Sequence, residues 1–348
     1  MLQDAALETL FLPFRDGALA PPDGPTLFLR ARLTPGLALF KQQGLICRQS
    51  FRPLAVELER AGFEVATKAG GHFPLVLVLP PRQRDEARAM LAEAAIHAAP
   101  EGIVIAAMLN AEGARSAEDD LGLIAGPVES RSKRKCRVFW AKAAGGDMAL
   151  RESWAAFDQP RRIVDAQFPG GEFWSRPGIF AWDRIDAGSA LLAEHLPRDL
   201  AGRGADLGAG VGYLAAEILA RCPKVTALDL YEAEARALDL ARKNVVPPTG
   251  IAVDFFWHDV TEGLGTEGLK LPYDFIVTNP PFHQGRAERV DVGRAFLTAT
   301  AASLVRGGRL WLVANEHLPY EAELKARFSV LRNVAETGGY KIIEAVKG

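Results

Sequence analysis

Ala205-Asp-Leu-Gly-Ala-Gly-Val-Gly212 is the stretch from which the fold can be read. Glycines at 208, 210 and 212 let a chain turn tightly off a strand and bring its backbone close to a ligand. The Ala/Leu/Ile-rich run Tyr213 to Cys222 follows, and a helix there would point its free N–H groups at the same place. The next strand-like run, Val225-Thr-Ala-Leu-Asp229, ends on an acid 19 residues after Gly210. A carboxylate at that spacing suits the two hydroxyl donors of a ribose. Dinucleotide and adenosylmethionine sites share these features. A dinucleotide loop expects its third glycine at 213, where this chain has Tyr213. The GxGxG spacing, with Asp206 ahead of it, favours adenosylmethionine, because no diphosphate needs cradling and an acid is tolerated beside a sulfonium cation. Asp259 follows the aromatic strand-like run Val253 to His258 and is placed to accept from an adenine amine; capping a turn is the plainer alternative.

Downstream, Asp274-Phe-Ile-Val-Thr-Asn-Pro-Pro-Phe282 reads as a buried strand that stops at two prolines. Pro281 brings no N–H, so the strand cannot continue its ladder and the Pro280 carbonyl is released from it. Asn279 supplies a side-chain carbonyl beside it. Together they can accept both hydrogens of one NH₂ group, and Phe282 offers a face for a flat ring. Such a pair suits methylation of a conjugated amine. Its lone pair is delocalised, and two acceptors on its hydrogens draw the nitrogen toward a tetrahedral shape. Catalysis then rests on positioning and electrostatics rather than on a strong base.

Apolar strand-like runs alternate with Ala/Leu/Glu/Arg-rich runs throughout, which implies βαβ units around mostly parallel sheets. The 348 residues suggest two domains, and Pro and Gly concentrate between 160 and 178, so the boundary is placed at 160/161. The halves echo each other. Phe73 to Pro81 is a strand ending in Pro-Pro, followed by a helical run and the strand Gly102 to Ala107. The second half repeats that order with Asp274 to Pro281 and Gly308 to Val313, and Leu79 stands where Asn279 stands. A chance match and a true duplication both fit so short an echo; under duplication the first copy is degenerate and has lost its chemistry, since it has no acidic-plus-glycine loop and no polar residue before its prolines.

Composition narrows the function classes. Forty-nine per cent hydrophobic and 24 % charged residues describe an ordinary globular chain. A net charge of −2 excludes a uniformly basic nucleic-acid-binding surface and leaves only local patches. Cys47, Cys136 and Cys222 are far apart, and the six histidines form no ligand pair, so no disulfide framework and no metal site are expected. No signal peptide or membrane span is read, and a cytoplasmic location is expected. The run Arg131-Ser-Lys-Arg-Lys-Cys-Arg137 carries five positive charges in seven residues. Arg131, Lys133, Arg134, Lys135 and Arg137 are therefore candidate RNA contacts, equally readable as the guard of an exposed sheet edge. Arg82 and Arg84, and Arg286 and Arg289, could extend the patch.

In order and spacing these segments resemble the class I adenosylmethionine-dependent methyltransferases, and more narrowly the bacterial ribosomal RNA guanine-N2 methyltransferases. The likeness extends to Gly178-Ile-Phe-Ala-Trp-Asp-Arg-Ile-Asp-Ala-Gly-Ser-Ala-Leu-Leu192, to Val313-Ala-Asn-Glu-His-Leu-Pro-Tyr320 and, weakly, to Gly113-Ala-Arg-Ser-Ala-Glu118. Ala181-Trp182 departs from the family's pattern. The resemblance implies an α/β protein of two tandem Rossmann-like methyltransferase domains, of which only the second binds S-adenosylmethionine. It implies Asp206, Gly208, Gly210 and Gly212 around the methionine part, Asp229 on the ribose and Asp259 near the adenine. Arg184 and Asp186 would help to close the cofactor site, and Asn279, Pro280, Pro281 and Phe282 would hold the target amine. It further implies methyl transfer to a guanine N2 in ribosomal RNA, most simply 16S RNA of the small subunit, with the first domain docking RNA. Transfer to adenine N6 or a protein glutamine is the main alternative. A nicotinamide-dependent oxidoreductase gives Asn-Pro-Pro-Phe no role, and a non-catalytic RNA-binding factor needs no intact Asn279.

Overall fold

The computed structural model describes residues 4–264, 272–280, 288–316 and 321–348, without the side chains of 288–291. Two compact units divide the chain, Met1–Gln159 and Pro160–Gly348, one residue from the boundary expected from composition.

In the first unit the strands are β1 (Thr26–Leu29), β2 (Leu45–Arg48), β3 (Glu64–Ala66), β4 (Phe73–Val78), β5 (Ala98–Leu109), β6 (Glu129–Lys133) and β7 (Cys136–Lys142). They form one sheet in the order β3-β2-β1-β4-β5-β7-β6, in which β7 alone runs against the rest and pairs antiparallel with both β5 and β6. A small hairpin, β8 (Arg161–Val164) with β9 (Glu172–Ser175), opens the second unit. Its main sheet comprises β10 (Ala201–Leu207), β11 (Lys224–Glu232), β12 (Ala252–Trp257), β13 (Tyr273–Thr278), β14 (Leu304–Asn315), β15 (Val330–Thr337) and β16 (Tyr340–Val346). The order is β12-β11-β10-β13-β14-β16-β15, the same path as in the first unit.

The central strands are apolar on both faces because helices cover both, as parallel sheets require. In the second unit one face buries Leu228, Leu230, Phe275, Val277 and Trp311. The other buries Ala205, Leu207, Tyr231, Ile276 and Leu312. The first unit repeats this with Val76, Val78 and Val104 on one face and Leu75, Leu77 and Ile105 on the other.

The correspondence reaches single residues. Leu29 pairs with Val78 in one sheet and Leu207 with Thr278 in the other, so Leu79 and Pro80 take the places of Asn279 and Pro280. Both sheets carry a register shift at the same point, between Phe73 and Leu75 and between Tyr273 and Phe275. Beside each shift a side chain is forbidden. A Cβ on Gly102 would lie 2.9 Å from the Phe73 carbonyl oxygen, and one on Gly308 would lie 3.2 Å from that of Asp274. The tandem-domain expectation is therefore met by topology and by register.

Candidate active site

The glycine loop leaves β10 beside the end of β13. Gly208, Gly210 and Gly212 all have left-handed φ, of 75°, 55° and 87°. A Cβ at Gly212 would strike Val245 at 2.5 Å, so this glycine serves helix packing, whereas one at Gly210 would meet open space. The Gly208 and Ala209 N–H groups both donate to the Tyr231 carbonyl, at 2.8 and 3.0 Å, and tie the loop to β11. Helix Tyr213–Arg221 starts immediately after it. Asn244 braces the far side by donating to the carbonyls of Val211 and Trp174, each at 2.9 Å.

Asp206 is fully buried below the loop. One oxygen accepts from the Ala215 N–H at 3.1 Å, and the other has no partner. Burial pushes its carboxyl up to about 7, and the nearby Glu232 charge adds to the rise.

The ribose expectation for Asp229 is corrected by the strand's length. The run does not end at Asp229; β11 continues to Glu232. Period-two alternation turns Leu228 and Leu230 to one face and Asp229 to the other, where it is 1 % exposed. There it accepts from the Tyr273 hydroxyl at 2.6 Å and pairs with Arg203. Its carboxylate belongs to the sheet interior. The acid that meets the loop is Glu232, at the strand's end, which accepts from the Gly210 N–H at 2.8 Å and the Glu234 N–H at 2.8 Å. Burial raises its pKa. The signal was present in the sequence as a second acid three residues on, but where the strand stops is a tertiary fact.

Asp259 stands at the end of β12 and caps the short helix Val260–Glu262 through one oxygen, which accepts from the Thr261 N–H at 3.0 Å and its hydroxyl at 2.7 Å. The capping alternative thus holds for that oxygen. Arg184 is not among the groups brought to the loop. Its side chain is 71 % exposed and pairs with its neighbour Asp183 at 2.8 Å.

Asn279 sits where β13 ends, and the Gly208 Cβ position lies 3.7 Å from its backbone carbonyl. Thr278 fastens this strand end to β10 by donating to the Leu207 carbonyl at 2.6 Å. The Asn279 amide nitrogen donates to Asp186 Oδ2 at 2.9 Å and to Ser189 Oγ at 2.8 Å. A carboxylate only accepts, so the NH₂ end must face Asp186 and the carbonyl end is turned away from it. Asp186 itself caps helix Ala187–His195 by accepting from the Ser189 N–H at 2.9 Å. Gly188 lies between them without room for a side chain, because a Cβ would meet the Tyr340 ring at 2.9 Å. Asp186, assigned to the cofactor by resemblance, here touches Asn279. Pro281, Phe282 and Arg286 lie outside the described residues, as does the side chain of Arg289.

The basic run forms β6, the turn and the start of β7. Lys133, Arg134 and Lys135 are exposed at the turn, Arg134 and Lys135 with φ of 52° and 60°. Arg131 lies over the Trp140 ring at 5.5 Å. Arg137 points inward to Glu118 at 2.6 Å and is withdrawn from the candidate contacts, since the buried acid needs a partner. Arg84 leans on Asp120 at 3.4 Å.

Residues 170–344 match the methyltransferase small domain. The ribosomal RNA small subunit methyltransferase C of Shewanella piezotolerans is 30 % identical over 283 residues, covering 79 % of this chain and 78 % of that one. Its Shewanella halifaxensis counterpart is 31 % identical over 278 residues with the same coverage. A T. thermophilus 16S rRNA N2 methyltransferase, solved with AdoMet and guanosine, shares the fold with a TM-score of 0.81, 23 % identity, and coverage of 100 % of this chain and 93 % of that one. The chain belongs to the methyltransferase small domain family, among the adenosylmethionine-dependent ribosomal RNA small subunit methyltransferases C.

Proposed function

We propose that this protein transfers a methyl group from S-adenosylmethionine to the exocyclic N2 amine of a guanine in 16S ribosomal RNA. The observation that carries the reading is the held amide of Asn279. With its NH₂ fixed by Asp186 and Ser189, its carbonyl oxygen is left to accept, next to the Pro280 carbonyl at the end of β13.

The residues present fit the cofactor. An orphaned buried oxygen on Asp206, a second acid at Glu232 and open space above Gly210 suit a cationic ligand with a ribose. Asp206, Gly208 and Gly210 would hold the methionine end, Glu232 the ribose, and Asp259 the adenine. When bound, the cofactor supplies an electrophilic methyl group. Asn279 Oδ1 and the Pro280 carbonyl accept the two amine hydrogens and orient the nitrogen lone pair. Their partial negative charges stabilise positive charge developing on that nitrogen, so the proton can leave afterwards without a dedicated base. The Asp186 carboxylate behind the amide strengthens the acceptor by polarising it.

The small subunit, or its RNA, is the partner we assign, with Lys133, Arg134 and Lys135 at the basic turn as contacts and Arg131 beside them. A ribosomal substrate implies a cytoplasmic location. Transfer of labelled methyl to small subunits, large subunits, their naked RNAs and total protein, each from cells lacking the gene, tests the reading. N2-methylguanosine in 16S RNA supports it. Label in adenine or protein retains the chemistry and replaces the substrate.

A further inference from the structure

Carried through residue by residue, the correspondence between the two sheets shows what the first unit has put in place of a cofactor site. Leu207 matches Leu29, so Asp206 matches Phe28 and the loop Gly208-Ala-Gly210 matches Arg30-Ala-Arg32. Tyr231 matches Arg48, so Glu232 matches Gln49. The local bonding is retained. Gln49 accepts from the Phe51 N–H as Glu232 accepts from the Glu234 N–H, and the Ala31 N–H donates to the Arg48 carbonyl as the Ala209 N–H does to that of Tyr231. Leu79 replaces Asn279, and in sequence Arg82 replaces Phe282. Two carboxylates are gone and three guanidinium groups have arrived.

The place is still a cleft. Arg30, Arg32 and Arg82, with Leu79, line a cleft of about 200 Å³ at the C-terminal ends of the strands. Asp4 and Glu112 also line it. Asp4 is paired with Arg32, whose Nε is nevertheless buried without a partner. Arg82 is exposed and has no protein partner among the described residues. Arg30 keeps the left-handed backbone of its counterpart Gly208, with φ of 58°, a conformation that disfavours side chains. The same substitution recurs at the turn after β6, where Arg134 and Lys135 match Gly338 and Gly339. That turn lies at the same end of the sheet, since its Lys135 carbonyl accepts from the Asn110 N–H just beyond β5. Among the described residues of the unit, the remaining left-handed side chain, Glu101, is at the opposite end and pairs with Lys142 at 3.1 Å.

Its three guanidinium groups outnumber the two carboxylates, Asp4 and Glu112, so the cleft favours a phosphodiester over a sulfonium cofactor. We propose that the inherited cofactor cleft of the first unit is an anion site that seats a backbone phosphate of the RNA substrate through Arg30, Arg32 and Arg82. It rests on the ribosomal RNA reading above.

The test uses the full chain and a fluorescent 16S RNA transcript, with affinity measured across a salt series. Arg30→Gly suits the left-handed backbone, and Arg82→Ala changes an exposed side chain, so both variants fold. Adenosylmethionine affinity, unchanged, checks this. Each lost phosphate contact should lower the slope of log K against log salt by about 0.7–0.9, and the double variant should bind about tenfold more weakly. An unchanged slope in the double variant overturns the cleft as a phosphate seat and leaves the RNA reading standing. Absence of salt-dependent RNA binding by the unaltered protein overturns both. Adenosine monophosphate provides the second arm. If it competes with RNA only at the ionic strength it adds, the polymer reading stands. If it saturates a site that Arg30→Gly abolishes while the RNA slope is unmoved, the cleft holds a free nucleotide and the proposal fails.

Discussion

Replacing Asp186 by asparagine separates the two things this side chain does. It caps helix Ala187–His195, and it holds the amide of Asn279 at 2.9 Å. Asparagine caps a helix about as well as aspartate, so stability should change by no more than a few tenths of a kcal/mol. The bond to Asn279 changes more. A hydrogen bond to a charged acceptor contributes about 1.5–3 kcal/mol and a neutral one about 0.5–1.5. The difference, about 1–1.5 kcal/mol, falls on the orientation of the acceptor that meets the amine, and corresponds to about a five- to twelvefold lower kcat. Ser189→Ala removes the neutral partner at 2.8 Å and should cost about fivefold on the same grounds. The assay is single-turnover methyl transfer to 16S RNA, with the cofactor dissociation constant and the melting temperature measured on the same samples. A fall in kcat with both other quantities steady is the expected result. Unchanged kcat with weakened cofactor binding would place Asp186 at the cofactor and refute its role as a positioning residue.

Asn279→Ala should lower kcat by about 10²–10³ while leaving the cofactor dissociation constant within twofold, measured by calorimetry. Glu232→Gln should weaken cofactor binding by about 1.5–3 kcal/mol, or roughly ten- to a hundredfold, whereas Asp229→Ala should not weaken it directly. Asp229→Ala should instead destabilise the fold by about 3–5 kcal/mol, because it strands Arg203 inside the sheet; chemical denaturation reads this out. Asp206 predicts opposite pH trends for stability and binding. Its folded pKa of about 7 lies above its ordinary 3.8, so the folded state holds the extra proton between those values. Stability of the ligand-free protein from this residue therefore falls as pH rises from about 4 to 7. Cofactor affinity falls as pH drops below about 7, since a neutral acid attracts no cation, and Asp206→Asn should flatten both curves.

Chain order was enough to identify the chemistry. A glycine loop, an acid downstream and Asn-Pro-Pro each state a local requirement, namely a left-handed turn, a charge and a strand stopped by a missing N–H. Such requirements are written in consecutive residues. The duplication was visible for the same reason, as a repeated order of strand, Pro-Pro and glycine. What consecutive residues do not state is where a strand ends and which face it turns to the core. Asp229 satisfied the spacing for a ribose acid, yet three more residues of β11 put Glu232 at the loop and Asp229 beside Arg203 and Tyr273. Asp186 and Asn279 are 93 residues apart, and only the packing of a helix cap against a strand end brings them together. The equivalence of Arg30 with Gly208 is likewise invisible in sequence, because it rests on matched register in two sheets and on one backbone angle. The sequence by itself therefore determined the fold class and the cofactor, through local backbone and charge requirements, and it supplied the segment proposed here to hold the amine. Tertiary structure alone decided which carboxylate meets the loop, what holds the Asn279 amide and what the corresponding cleft of the first unit presents, because those depend on register and on contacts between distant elements.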